Sequence, residues 1–210
     1  MKKHDMILLV ILVASMLLIS KLSGAPIIDA TFTDAQTNTN PQVTMNDLEI
    51  KTKERKIVDQ ILSPKEYMNG DVLAKITIPR MELYRYDVIY GANEINNNWQ
   101  ITAPGHQGNY GLFGERTPTI VGAHNYQLFH NLPTLQEGDY VYVEVDEQVF
   151  VYEVQGNFIY DHLKDDYNKI LDRLEPYSLG LMTCYPIDQK DTEDRYIVQT
   201  KMISGIKYHK

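Results

Sequence analysis

From Val72 onward the chain is cut into short apolar runs, each bounded by glycine, proline or acidic turn residues. Val72 to Ile78 alternates apolar with polar residues and stops at Pro79, and Tyr84 to Tyr90 stops at Gly91. Pro118 to Ala123 is compact and apolar. Tyr140 to Val145 and Gln148 to Val154 flank Asp146-Glu147, a hairpin signal, and Asn157 to Tyr160 is a further short run. Leu179 to Cys184 and Arg195 to Ile203 close the series. Runs of this length with turn residues at their ends are strands, and many in succession predict a mainly β domain, a barrel or a sandwich. Fifteen tyrosines against one tryptophan and five phenylalanines suit half-exposed β surfaces better than a helical bundle. Between the runs, residues 91–117 read as loop, Tyr126 to Leu135 as a helical turn, and Asp161 to Glu175 as a charged loop with a short helix.

The N-terminal third is organised differently. Lys2 and Lys3 precede an apolar stretch from Met6 to Ser20, and Leu22 to Ile28 extends it past Lys21. We expect residues 1–28 to be an uncleaved membrane anchor with the lysine pair on the cytoplasmic side and the remainder of the chain outside. A cleaved signal peptide is the competing reading, with Ser23 and Ala25 as a small-x-small site followed awkwardly by Pro26. Residues 29–70 form a polar linker followed by a helix over about Leu48 to Leu62, capped by Asn46 or Asp47 and stopped by Pro64. Residues 71–210 form one domain, long enough to bury a core. The formal net charge of −8 supplies no basic face to neutralise phosphates, which excludes a nucleic-acid partner. Neither a Gly-rich phosphate loop nor a cluster with metal-ligand spacing stands in the sequence.

Cys184 is the only cysteine, and it closes the apolar run Leu179 to Cys184 just before Pro186. Free cysteines commonly behave as small buried hydrophobes. Outside the cytoplasm, an unpaired thiol at a strand end is instead a candidate reactive group. An ordinary thiol is only roughly 3% ionised near pH 7, so a nucleophile needs an imidazole or guanidinium beside it. Arg195 opens the last run where Cys184 closes the preceding one, and an antiparallel hairpin would set them level. Among the histidines, His4 and His209 lie at the chain ends, His162 sits in a charged loop, and His130 reads as packing against Phe129 and Leu132. His106 is in a glycine-rich loop and could approach a site. His124 directly follows Pro118 to Ala123, with Gly122 and Ala123 leaving room for close backbone approach. A structural histidine is the commoner outcome for any one of these positions. The case rests on three rare groups, each at a strand end, with Arg116 as the fallback cation.

These residues resemble those of the sortases, membrane-anchored cysteine transpeptidases of Gram-positive cell surfaces. Leu181-Met182-Thr183-Cys184 matches the end of the TLxTC pattern of that family, Val121 to Asn125 resembles its histidine strand, and Arg195 to Val198 its arginine strand. Leu128 to Leu132, Leu135 and Gly138-Asp139 resemble the stretch after the histidine, so that the likeness spans about Leu73 to Met202. Gly180 replaces the usual threonine of the cysteine motif, Ala123 stands where glycine is common, and the Asp-Pro lid motif of pilin-polymerising members is absent. Class A and class D both fit.

The resemblance implies an eight-stranded sortase-type β-barrel with short helices in its connections and an N-terminal helix. It implies that Cys184, His124 and Arg195 are catalytic and that Thr183 and Arg195 contact substrate. The implied substrates are surface proteins bearing a C-terminal LPxTG-like sorting signal, cut between Thr and Gly through a thioester. The implied acceptor is an amine of lipid II or of a pilin lysine. No cofactor is required, although Asp146 and Glu147, or the acidic 161–175 loop, offer calcium ligands of the kind some members use. Two rival readings remain: an extracellular cysteine peptidase that hydrolyses its substrate, and a non-catalytic surface interaction domain with an inert thiol.

Overall fold

The computed structural model describes residues 57–61, 65–91, 100–190 and 192–209. Among these residues no helix is long and apolar enough to cross a membrane. The expected anchor over residues 1–28 lies outside the described residues, as does most of the expected linker.

Nine strands run in chain order as β1 Ile57–Ile61, β2 Val72–Ile78, β3 Leu83–Tyr90, β4 Ile101–Ala103, β5 Thr119–Gly122, β6 Tyr140–Val145, β7 Gln148–Tyr160, β8 Leu179–Tyr185 and β9 Asp194–His209. Their order is β1-β9-β7-β6-β2-β3-β4-β5-β8, and β8 pairs back onto β9. Eight strands, β2 to β9, therefore close into a barrel, and β1 is added outside the ring. It runs parallel to the far half of β9, with Ile57 opposite Gly205 and Ile61 opposite His209. The described part of the expected N-terminal helix is thus a strand. Each of Ile57 to Gln60 is exposed, so no apolar stripe is buried there to hold a helix. The backbone groups are paired along β9 instead.

Alternation sorts the side chains. One set fills the barrel, with Ile76, Val88, Ile101, Val121, Leu181 and Val198 all within 1% of complete burial. A second, outer cluster gathers Ile120, Phe158, Met182 and Ile197 beneath Ile170 and Leu174. The last two residues belong to the connection between β7 and β8, which carries a 3-10 helix at Tyr167–Arg173. The two runs expected at Gln148 to Val154 and Asn157 to Tyr160 are one strand. A register shift at Gly156 (φ +149°) interrupts the alternation without breaking the pairing with β9.

Candidate active site

The last strands of the barrel place the candidate groups through register alone. In the antiparallel β8–β9 pair, Cys184 stands directly opposite Arg195 and Met182 opposite Ile197. Direct partners in such a pair share a face of the sheet. Met182 and Ile197 belong to the outer cluster, so Cys184 and Arg195, two residues further along each strand, also face outward. On the other side of β8, β5 runs parallel to it with Gly122 level with Met182. The pairing continues beyond the strand end: the Ala123 N–H donates to the Met182 carbonyl at 3.3 Å. The Thr183 hydroxyl donates to the Ala123 carbonyl at 2.7 Å. Counting on two residues from the Gly122–Met182 pair sets His124 level with Cys184. Ile120 is outward and Ala123 inward, which carries His124 to the outer face as well. Thiol and guanidinium thus come from neighbouring strands at one level, about 4.8 Å apart, and the imidazole from the second residue past the end of β5.

Each group is half-buried. Cys184 is a free thiol. The His124 ring stacks on Tyr126 with centroids 5.0 Å apart. Arg195 donates through Nη1 to the carbonyls of Thr192 at 2.6 Å and Asp194 at 2.9 Å, which draws its guanidinium over the β8–β9 connection. Beside the three groups, Ile120, Met182 and Ile197 are buried under the 161–178 connection, which packs onto them through Ile170 and Leu174.

Thr183 differs from what its motif implied. It is 2% exposed and faces inward, with its hydroxyl committed to Ala123, so this side chain ties the cysteine strand to the histidine strand rather than meeting a ligand. Arg116 is exposed and precedes β5, at the end of that strand opposite His124. Its carbonyl accepts from Tyr177 N–H at 3.0 Å, and the length of β5 separates its backbone from His124.

The other described histidines are engaged elsewhere. His106 Nε2 lies 2.7 Å from the buried carboxylate of Glu115. That pair lines a cavity of about 770 Å³ with Tyr67, Tyr90 and Tyr208, on the far half of β9. His130 is exposed rather than packed, and it pairs with Asp188 at 3.0 Å. His162 Nδ1 lies 2.7 Å from Asp194, the residue before Arg195. The hydrogen bond to Asp194 raises the His162 pKa above the ordinary imidazole value, and the same bond lowers that of Asp194. Asp161, His162 and Asp194 can bring one ligand atom each within 4.8 Å of one another. Asp161 is also paired with Lys164, and Asp146, the other acidic position considered for calcium, with Lys65 at 3.0 Å.

Sequence reasoning missed Asn125. It is 1% exposed, and its Nδ2 donates to the carbonyls of Pro186 and Gln189, each at 2.8 Å. Its position beside His124 was the one available signal.

Comparison with known proteins agrees with this geometry. The sequence model of the sortase domain matches residues 76–203. Among curated protein sequences, none matches the chain. The SrtA sortase of Actinomyces oris superposes with a TM-score of 0.54 at 16% identity, covering 66% of this chain and 83% of that one. A Clostridium perfringens sortase D5 transpeptidase gives 0.53 at 22% identity over 76% and 89%. A Clostridium perfringens sortase C carrying the C-terminal cell wall sorting motif gives 0.52 at 22% over 64% and 72%. At these identities the likeness is one of fold.

Proposed function

The chain belongs to the sortase family, and from that membership we propose that it is a cysteine transpeptidase that moves surface proteins from a sorting signal onto an amine. The observation that supports the reading is the direct pairing of Cys184 with Arg195 across β8 and β9, with His124 two residues past the end of β5, the strand on the other side of β8. In the first half-reaction the Cys184 thiolate attacks the carbonyl carbon of the Thr–Gly bond in an LPxTG-like signal. The carbonyl electrons move onto oxygen, and the Arg195 guanidinium stabilises that oxyanion, for which a permanently charged donor fork is suited. His124 protonates the departing glycine amine as the C–N bond breaks, leaving a thioester on Cys184. In the second half-reaction an amine of a cell-wall precursor or a pilin lysine attacks the thioester. His124 takes its proton, and the thiolate leaves.

Protein side chains alone supply nucleophile, acid and positive charge in this scheme, so no cofactor is invoked. The sorting motif carried by the sortase C neighbour supports this substrate class. We assign residues 1–28 as the membrane anchor, with the barrel on the outer side of the membrane.

The test is product identity. An LPxTG-type peptide is incubated with the protein, with and without an amine such as triglycine, and the products are read by mass spectrometry. Transpeptidation predicts an amide product that grows with amine concentration at the expense of free acid. Cleavage to free acid alone, whatever the amine concentration, would establish the hydrolytic reading, and no cleavage with an unreactive thiol the non-catalytic one.

A further inference from the structure

The chain neighbours of His124 are bonded to the chain neighbours of Cys184 on both sides. Before the pair, the Thr183 hydroxyl donates to the Ala123 carbonyl at 2.7 Å. After it, the Asn125 amide donates both of its protons into the loop that follows Cys184, to Pro186 and Gln189, each at 2.8 Å. Only the NH2 end of the amide can face two carbonyls, which fixes its orientation. The same two loops touch twice more at their rims. His130 pairs with Asp188 at 3.0 Å, and Lys190 lies over the Tyr126 ring at 4.9 Å. Tyr126 in turn stacks on His124. Those outer contacts are exposed and weak, whereas Asn125 is 1% exposed.

We propose that Asn125 is a positioning residue that holds the segment bearing His124 against the loop after Cys184, and so sets the imidazole–thiol separation. This rests on the reading of His124 and Cys184 as the reacting pair. β5 ends at Gly122, so the strand ladder does not itself hold His124. Thr183 fixes the chain before the imidazole and Asn125 fixes it after. The His124 carbonyl accepts from the Gln127 and Phe129 N–H groups at 3.2 Å each, which ties it to its own loop, and Asn125 ties that loop to the one after Cys184; without the Asn125 bonds the loop shifts as a unit. A displacement of about 1 Å at a reacting group can cost on the order of 100-fold in rate.

The experiment uses the full chain with Asn125→Ala and Asn125→Ser, the latter retaining one donor. Thr200→Val serves as a control that perturbs a buried hydrogen bond elsewhere in the barrel. Three quantities are read: melting temperature, kcat and KM for peptide cleavage, and the pH midpoint of Cys184 alkylation by iodoacetamide. We expect Asn125→Ala to fold, to lose about 10- to 100-fold in kcat with KM changed less than about threefold, and to shift the alkylation midpoint upward, with Asn125→Ser between it and the parent protein. The control should lower the melting temperature and leave the midpoint in place.

An unchanged midpoint and kcat in a folded Asn125→Ala would overturn the proposal. So would failure of both Asn125 variants to fold, since the residue would then be structural. Failure of the underlying reading looks different: Cys184→Ala would retain turnover in the otherwise unaltered chain.

Discussion

Gly180 stands where the cysteine motif of the family usually carries threonine, and the packing around it explains the exchange. A Cβ at this position would lie 2.5 Å from Cδ1 of Ile120 and 3.1 Å from Cδ1 of Leu174. Glycine therefore lets the 161–178 connection settle onto β5 and β8 beside the site. Gly180→Thr should force both side chains aside at a cost of about 1–3 kcal/mol, the usual range for overpacking a filled core. Thermal melting checks the loss, and Gly180→Ala should fall between the two. The proposed reacting groups make sharper predictions. Cys184→Ala should abolish peptide cleavage with melting unchanged, and His124→Ala should come close to it. Arg195→Ala should lose about 100- to 1000-fold in kcat, the range found on removing one oxyanion donor. Full activity in any of the three would strike that residue from the mechanism. These three positions stand out in the sequence because the proposed chemistry restricts them to few residue types. The role of Thr183 could not, since a buried hydroxyl and a substrate-facing one are the same letter, and strand alternation at the pairing with Ala123 decides between them.

At the level of elements, the long runs were readable and the short ones were not. β2, β3, β6 and the start of β7 carry a clear period of two or a turn between them. β4, at three residues, is too short to show any period, and its identity comes from pairing with β3. β1 presents isoleucine and valine outward, so nothing in its own pattern announces a strand; the tail of β9 makes it one. Asp161 to Glu175 reads in sequence as a charged loop with a short helix, which is the 3-10 helix Tyr167–Arg173, but its charges have an order the sequence hides. His162 donates to Asp194 through its ring Nδ1–H, donates its backbone N–H to the same carboxylate at 3.0 Å, and lies 3.1 Å from Glu193. Asp161 and Lys164 complete the group. The raised pKa of His162 means its contribution is fully present below the ordinary value of 6.5 and is lost as pH rises through the raised one. The lowered pKa of Asp194 means its contribution is present above 3.8 and is lost as pH falls through the lowered one. The latch is therefore complete between those two ordinary values. Amide exchange at His162, corrected for intrinsic rate, should show more protection at pH 6 than at pH 9, and Asp194→Asn should remove the difference. Because these carboxylates are already paired with His162 and Lys164, we expect added calcium or a chelator to leave turnover unchanged in the peptide assay.

On the scale of the whole molecule, site and barrel closure are the same piece of structure. The ring is completed where β8 meets β9, and that seam runs from Gly180–Gln199 to Cys184–Arg195 and on to Tyr185–Asp194. Any opening of the seam from its Cys184 end separates thiol from guanidinium. Its other end is pinned by a buried side chain: the Thr200 hydroxyl donates to the Leu179 carbonyl at 2.7 Å and accepts from the Leu179 N–H at 3.2 Å. Thr200 is 2% exposed and Leu179 fully buried, so no water replaces either bond if the hydroxyl is removed. Thr200→Val keeps the shape and deletes both bonds, which should cost about 1–3 kcal/mol, the penalty for buried groups left unpaired. For a domain of this size that is a fall of about 2–4 °C in melting temperature per kcal/mol. The four residues of β8 between Leu179 and Cys184 keep their own ladder bonds, so kcat measured well below the transition should stay within about twofold of the parent, as expected for sites that share no partner. A loss of turnover in proportion to the loss of stability would mean instead that the seam opens as one unit, and that the level alignment of Cys184 with Arg195 depends on its whole length.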